Sequence, residues 1–219
     1  MTALSWDETG SRYYENGVDH GVLYVQKDTG DYETGVVWNG LTGVSESPEG
    51  AEATDLYADN IKYASLRSAE TFKATIEAYT YPDEFAECDG SATVADGIYF
   101  GQQTRQSFAF SYRTQVGNDT GYTSTDDGYK LHIVYGCTAS PSEKSYETIN
   151  DSPDAITFSW EIDSTPVAVE GYSVVSTVVI DSTKCDADVL TTIEETLYGS
   201  DSAEPTLLLP DEIVTLLAA

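Results

Sequence analysis

Two histidines and three cysteines are the residues of this sequence best suited to acid–base, metal or nucleophilic chemistry. His20 and His132 lie outside the HxH, HExxH and GxSxG patterns of metal sites and hydrolases. Cys88, Cys137 and Cys185 lie far apart without CxxC spacing, which favours reduced, buried thiols over a zinc site, with a single disulfide as the alternative. No GxGxxG or P-loop motif is present. The sequence therefore predicts no catalytic residue, no metal site and no cofactor.

Acidic side chains are so abundant that a glycosidase-like pair of carboxylates can be found almost anywhere, so such a pair is uninformative. A Ser–His–Asp triad has no positive support either, because its members come from distant positions in a sequence. Two oxygen-rich turns are compatible with calcium: Asn118-Asp119-Thr120 with Asp126-Asp127, and Asp28 with Asp31 and Glu33. Neither matches an EF-hand loop, and solvated acidic loops are the competing interpretation. The 16 tyrosines are compatible with a sugar-stacking surface, although tyrosines on strands are more often interface or cross-strand residues.

The overall charge excludes two classes of partner. The chain of 219 residues carries 38 Asp and Glu against 10 Lys and Arg, a formal charge of −28. A protein that binds nucleic acid by neutralising phosphates, or that adheres to an anionic membrane, needs cations that this chain lacks. Aromatic residues make up 11% of the chain, too many for a disordered acidic tail. At about 150 residues per domain, residues 1–219 are expected to form one domain.

The N-terminal residues, Met1 to Asp7, contain neither a basic region nor an apolar leader, and no stretch of about 18 apolar residues occurs. We therefore expect synthesis in a cytoplasm and no insertion into a membrane.

Alternation with period two dominates the sequence and indicates β-strands. The clearest case is Ile156 to Asp163, where apolar and polar residues alternate strictly, as in a strand with one buried face. Further strands are predicted at residues 22–27, 36–41, 72–79, 107–113, 130–135 and 172–181. Because turn formers such as Gly30, Asn118, Gly121 and Gly128 separate these segments, the pattern predicts a mainly β protein, an antiparallel β-sandwich or barrel.

Helical periodicity is confined to the C-terminal part of the chain. Residues 186–199 predict one flanking α-helix that begins with acidic residues and ends at Gly199. A shorter helix is predicted from Pro210 within the C-terminal tail, residues 205–219. Its apolar residues predict docking, either on the core of the same chain or on a neighbouring subunit: Ile213, Val214, Leu216 and Leu217.

The segment from Thr42 to Tyr63 fits neither period. Its first half holds acids, Pro48 and Gly50, whereas its second half holds Leu56 and Ile61 with two tyrosines. A long structureless excursion inside a domain is usually functional or disordered, and apolar residues argue against disorder. We therefore predict a long loop that becomes ordered against a partner.

Several stretches, in their order and spacing, resemble one protein family. They are Trp6-Asp7, Tyr13 with Glu15-Asn16-Gly17-Val18-Asp19, Trp38-Asn39-Gly40-Leu41, Pro48-Glu49-Gly50-Ala51-Glu52, Leu56-Tyr57-Ala58-Asp59-Asn60, Glu77-Ala78-Tyr79-Thr80-Tyr81-Pro82, Phe85, Cys88-Asp89-Gly90 and Phe108 with Ser111-Tyr112-Arg113. Over residues 5 to 160 the chain is thereby similar to the major tail (tail tube) proteins of bacteriophages with long, non-contractile tails. No single motif is diagnostic of that family, and it has no catalytic residues to carry over.

The resemblance implies a virion structural protein that forms hexameric rings, which stack into a hollow tail tube through which genomic DNA passes without specific binding. It implies a tape-measure protein and tail-completion or baseplate proteins as partners, a place in the virion tail, and assembly in the host cytoplasm. The long loop and the termini would make the contacts between rings. The residues implied for these contacts are Ser45, Glu46, Pro48, Glu49, Leu56, Tyr57, Asp59, Asn60, Ile61 and Tyr63.

An acidic lumen would repel DNA phosphates over a distance comparable to the Debye length, about 8 to 10 Å. Glu161 and Asp163, on the polar face of the clearest strand, and Glu77 on another strand are the candidates for lumen-facing residues, although a place on the outer wall is an equal alternative.

Two other functions compete with the tail tube. One is another acidic β-sandwich module for surface or carbohydrate binding, of the decoration or baseplate type, which leaves the segment 42–63 unexplained. The other is an acidic hydrolase, which requires a turnover that depends on a single carboxylate.

Overall fold

The computed structural model describes residues 4–120, 128–149 and 154–217. The strands of this part are β1 (Tyr13–Val25), β2 (Val36–Trp38), β3 (Leu41–Glu46), β4 (Glu49–Gly50), β5 (Ala53–Ala58), β6 (Ile61–Arg67), β7 (Glu70–Thr71), β8 (Lys73–Ala78), β9 (Ala92–Ala95), β10 (Ile98–Phe100), β11 (Phe108–Asn118), β12 (Tyr129–Ala139), β13 (Phe158–Ser164) and β14 (Thr177–Asp181). The helices are α1 (Phe85–Cys88), α2 (Ala187–Tyr198) and α3 (Pro210–Leu217). The predicted mainly β fold with a flanking helix is confirmed.

The main sheet is antiparallel and has the strand order β2-β1-β11-β12-β13-β8-β3. One edge of β12 is shared by two strands, since its first half pairs with β14 and its last residues pair with β13. The division lies at Gly136, which has a φ of 58° and whose added Cβ would lie 2.3 Å from the carbonyl oxygen of Thr165. A glycine is needed there because any side chain would collide with the backbone of the diverging strand.

Apolar residues form two cores, one on each face of β1, β11 and β12. The first core is aromatic, with Trp38, Phe85 and Trp160 packed at centroid distances of 4.6 to 5.6 Å. The second core lies under α2, α3 and the segment that joins them. Residues 108–112 are all buried because both faces of β11 are covered. This explains why Ser111, on the side of the strand that alternation assigns to polar residues, is fully buried.

Two tyrosine hydroxyls fix the helical layer to the sheet. The Oη atom of Tyr24 donates to the carbonyl oxygen of Leu197, 2.7 Å away, and Tyr135 Oη donates to that of Leu208, 2.9 Å away. The helix predicted over 186–199 is confirmed as α2, and the Asp186 side chain accepts hydrogen bonds from the first turn as an N-cap. The shorter helix predicted from Pro210 is α3.

Three predicted elements differ from the structure. Residues 36–41 form two strands, β2 and the start of β3, because the left-handed backbone of Gly40 separates them. Of residues 172–181, only 177–181 form a strand, and Val175 makes an isolated bridge with Val167 instead. The interpretation of 42–63 as a loop is wrong, because this segment contains β3, β4, β5 and the start of β6.

Candidate assembly surfaces

A β-hairpin arm projects from the sheet between β3 and β8, and we define the arm as residues 47–72. Its base is the short pair β4–β7, and its outer part is the hairpin β5–β6. Asp59 and Asn60 form the turn with φ values of 50° and 62°, between the paired residues Ala58 and Ile61. A two-residue turn with both φ angles positive matches the twist of a hairpin, and Asp and Asn are among the residues that tolerate this conformation. This turn was the sequence signal for the hairpin.

The two faces of the hairpin differ in polarity. Cross-strand pairing puts Leu56 with Ala64 and Ala58 with Ile61, and alternation adds Leu66 to the same side, which is the apolar face. The opposite face holds Asp55, Ser65 and Lys62, joined by an ion pair of 2.7 Å and a hydrogen bond of 2.8 Å. Tyr63 lies at the register shift and is 75% exposed. Every residue of β5 is exposed, so the rest of the described chain does not cover this hairpin.

The predicted inter-ring residues fall into two groups. Leu56, Tyr57, Asp59, Asn60, Ile61 and Tyr63 lie together on the outer part of the arm, and Pro48 and Glu49 lie at its base. Ser45 and Glu46 do not belong to the arm, because β3 pairs them with Thr75 and Ala74 of the main sheet. The start of the arm was placed too early, because the alternation of β3 is short and is interrupted by Gly43. Where a strand ends also depends on the strand it pairs with, which its own pattern does not show. Their role in ring contacts remains a prediction.

Glu46 instead joins a half-buried polar cluster that the sequence analysis did not predict. Its carboxylate accepts a hydrogen bond of 2.6 Å from Tyr112 Oη and lies 3.8 Å from Nδ1 of His132. The His132 ring stacks on Tyr112 with 4.6 Å between centroids, and its Nε2 lies 3.0 Å from Thr114 Oγ1. Its Nδ1 is buried without a hydrogen-bond partner. Burial lowers the pKa of His132 below its ordinary value, against the attraction of Glu46 and Glu15.

The three lumen candidates share one face of the sheet. Glu77 is paired with Ser159, and Asp163 with Lys73, so alternation places Glu77, Glu161 and Asp163 on the side opposite the aromatic core. Lys73 Nζ lies 3.0 Å from Glu49 and 3.5 Å from Asp163, and these two carboxylates raise its pKa, Glu49 by the larger amount. This face is polar and acidic, and it lies beside the base of the arm.

The C-terminal residues predicted to dock are divided between two environments. Ile213 is 8% exposed and packs in the second core, and Leu216 packs against that core. Val214 and Leu217 are exposed on the outer side of α3. The tail therefore docks on its own chain through Ile213 and Leu216, which is one of the two alternatives predicted.

A second hairpin, β9–β10, presents apolar residues that the sequence analysis did not single out. Val94, Ile98, Tyr99 and Phe100 are all exposed, and we call them the hairpin surface. Beside them a cavity of about 260 Å³ is lined by Tyr99 together with Tyr81, Asp83 and Ala86. The signal in the sequence was the apolar run Ile98-Tyr99-Phe100, bounded by Gly97 and Gly101.

The thiols and oxygen-rich turns supply no metal centre in the part of the chain that the structure describes. Cys88, Cys137 and Cys185 are free; the first two are buried, and burial raises the pKa of the Cys88 thiol to about 12. Asp119 of the first predicted calcium turn accepts from the backbone N–H of Gly10 and lies 3.5 Å from Arg12. Gly121, Asp126 and Asp127 lie outside the described residues. Within the described ranges, no helix has the length and apolar character needed to cross a membrane.

A scan against protein-family models gives no match, and neither does a search of curated proteins. Among solved structures, the chain is similar to a chain in the cryo-EM structure of the anti-feeding prophage baseplate, six-fold symmetrised. The TM-score is 0.36 at 8% sequence identity, and the match covers 83% of this chain and 100% of that chain. A likeness of this degree leaves the function to be argued from the residues themselves.

Proposed function

We propose that this chain is a virion structural protein without catalytic activity, which polymerises as stacked hexameric rings into a hollow tail tube. The observation that carries the proposal is the arm, whose apolar face on β5–β6 is exposed in the single chain. The resemblance of residues 5 to 160 to tail tube proteins supports the same assignment. In this proposal the protein resides in the virion tail, is assembled in the host cytoplasm, and meets tape-measure and tail-completion or baseplate proteins.

An isolated two-stranded hairpin is marginally stable in water, and three or more strands or a packed face are normally needed. The arm exposes Leu56, Ile61 and Leu66 on one side, and burying such side chains contributes about 1.5–3 kcal/mol each. A second copy of the chain that covers this face would stabilise the arm and join two subunits. Such a contact between unlike surfaces is heterologous, and it propagates along an axis when it does not close on itself.

The acidic face supports the proposed passage of DNA. Glu77, Glu161 and Asp163 lie together opposite the aromatic core, and Lys73 Nζ lies 3.5 Å from Asp163. If this face lines the lumen, its carboxylates repel phosphates and leave the duplex free to slide. Genomic DNA is then a cargo that passes through the tube and is not bound specifically.

Electron microscopy of the full chain tests the proposal. We expect the purified protein, concentrated at moderate salt, to form rings or hollow tubes in negative stain. The variant Leu56→Ser/Ile61→Ser/Leu66→Ser should remain folded, because these side chains contact no buried core, and should form no tubes. The control Ser65→Ala changes the polar face of the same hairpin and should assemble normally.

Long tubes formed by the triple variant would contradict the role of the arm. A wild-type chain that stays monomeric at every salt concentration would contradict the tube and favour the alternative, a decoration, baseplate or carbohydrate-binding module, to be tested next by binding assays.

A further inference from the structure

The hairpin surface of β9–β10 is a further apolar patch that the described part of the chain leaves uncovered. Val94, Ile98, Tyr99 and Phe100 are each about half exposed, although residues of this type are normally buried. A strand with one face on a core exposes alternate residues, whereas here three consecutive residues are exposed. No face of β10 is therefore covered by a core of the described chain, although Tyr99 also lines the 260 Å³ cavity beside Tyr81. Contiguous exposed apolar surface of this kind marks interaction sites.

Acidic side chains lie next to the hairpin surface. Asp96 lies in the turn of β9–β10, Asp83 lines the cavity with Tyr99, and Glu84 and Glu87 belong to α1 and its N-cap, which contacts β9. The nearby cations, Arg105 and Lys144, are already engaged by Asp89. A segment that binds this surface should therefore be apolar, and its net charge should be positive or zero, because the neighbouring carboxylates repel negative charge.

The hairpin β5–β6 has these properties. Residues 53–67 contain two acids, Asp55 and Asp59, and two cations, Lys62 and Arg67, so their formal charge is zero in a chain of −28. Lys62 is paired with Asp55, whereas Arg67 makes no ion pair with any residue that the structure describes. An acidic surface repels such a neutral, apolar segment far less than it repels the acidic chain as a whole, and it attracts a guanidinium that has no ion pair of its own.

We infer that the β5–β6 hairpin of one copy docks through its apolar face on the hairpin surface of a second copy. Arg67, which pairs with Ala53 on the polar face, then lies at the edge of this contact, beside an acidic rim formed by Asp83, Glu84, Glu87 and Asp96. The inference rests on the proposed function and deepens it, since it names the surface that receives the arm. Each chain then carries one donor and one receptor surface, which produces head-to-tail chains of subunits rather than closed two-fold dimers.

Disulfide trapping tests the contact directly. In a Cys185→Ser background, which removes the one native thiol that is not buried, two single variants are prepared, Ile61→Cys and Ile98→Cys. We expect mild oxidation of the mixture to give a crosslinked heterodimer, whereas each variant alone gives little. The control is Ile61→Cys mixed with Val174→Cys, because Val174 is exposed outside both hairpins and should not crosslink.

Charge reversal tests the recognition of the acidic rim. Arg67→Glu should raise the protein concentration needed for assembly about tenfold, as expected for loss of an arginine at an interface. Lys27→Glu is the matched control, since it makes the same change in net charge at an exposed cation that also lacks an ion pair among the described residues. An equal effect of the two variants would contradict the predicted contact.

The outcomes distinguish this inference from the proposed function. Tubes that depend on the arm but give no crosslink between positions 61 and 98 would overturn the receptor assignment and leave the tube intact. A chain that gives neither tubes nor crosslinks at any salt concentration would overturn both. A crosslink with Val174→Cys as strong as that with Ile98→Cys would overturn the specificity of the contact.

Discussion

The buried imidazole of His132 makes the stability of the fold depend on pH. The imidazole stacks on the ring of Tyr112, and its Nδ1, 3.8 Å from the carboxylate of Glu46, lacks a hydrogen-bond partner. Charging this ring inside the fold costs desolvation free energy that the unfolded chain does not incur. Glu46 is the last residue of β3, so the cluster lies directly at the point where the arm leaves the sheet.

Acidification from pH 7.5 to 5.5 should therefore lower the free energy of unfolding. The folded pKa of His132 lies below the ordinary 6.5, so its contribution is present above pH 6.5 and is lost as the pH falls through the folded value. The carboxylates with lowered pKa values, Glu15 and Asp19, act in the same direction but only at more acidic pH. Urea unfolding of wild type and His132→Gln at both pH values measures the effect.

The glutamine variant should lose most of this pH dependence. An equally steep loss of stability in His132→Gln would assign the effect to another group.

At the scale of elements, substitutions in the C-terminal helix α3 measure how strongly this helix docks on its own chain. Ile213→Ala should destabilise the fold by about 2–5 kcal/mol, because it removes a side chain from the second core and leaves a cavity. Leu217→Ala, on the exposed side of α3, should change stability by no more than about 0.5 kcal/mol. Thermal or urea unfolding of both variants checks the difference.

If the two variants were equally stable, α3 would not be anchored through Ile213. A defect of Leu217→Ala in assembly but not in stability would assign the outer side of α3 to a contact with a neighbouring subunit, the second alternative for this tail.

The arm is an element whose strands were predictable only in part. The sequence located an unusual segment with an apolar distal half, and the structure resolves it into a hairpin with one apolar face. The turn Asp59-Asn60 carried a local signal, but the pairing of β4 with β7, twenty residues apart, did not. The alternation within a strand does not identify its partner when that partner is distant in the sequence.

At the scale of the whole molecule, charge decides the conditions for assembly. Eight of the ten Lys and Arg residues make ion pairs, but because acids far outnumber them, most carboxylates in the described ranges have no cation beside them. Subunits of charge −28 repel one another, and apolar burial must exceed that repulsion. Salt screens charges over a Debye length that falls from about 30 Å at 0.01 M to about 3 Å at 1 M.

Assembly should therefore increase with ionic strength at fixed protein concentration. Light scattering or sedimentation from 0.05 M to 1 M NaCl measures it, with electron microscopy to confirm that the product is ordered. A yield of tubes that is unchanged or lower at high salt would contradict the balance of apolar burial against net charge.

The sequence by itself determined the fold class, the helices at 187–198 and 210–217, the acidity and the location of an arm-like segment. These follow from local periodicity and from composition, which neighbouring residues carry without reference to the rest of the chain. It also pointed to Ile213, Val214, Leu216 and Leu217 as docking residues, but it did not show that only Ile213 and Leu216 pack on the chain itself, nor on which surface they do so.

Only the tertiary structure decided which strands pair, which faces are covered and which residues meet. The division of β12 between β13 and β14, the burial of both faces of β11, and the meeting of Glu46 with Tyr112 and His132 all join distant segments. The alternation of a strand shows which residues share a face, but it does not show which other element packs on that face. The choice of neighbours is made by the packing free energy of the whole domain, because each buried face must find a complementary one.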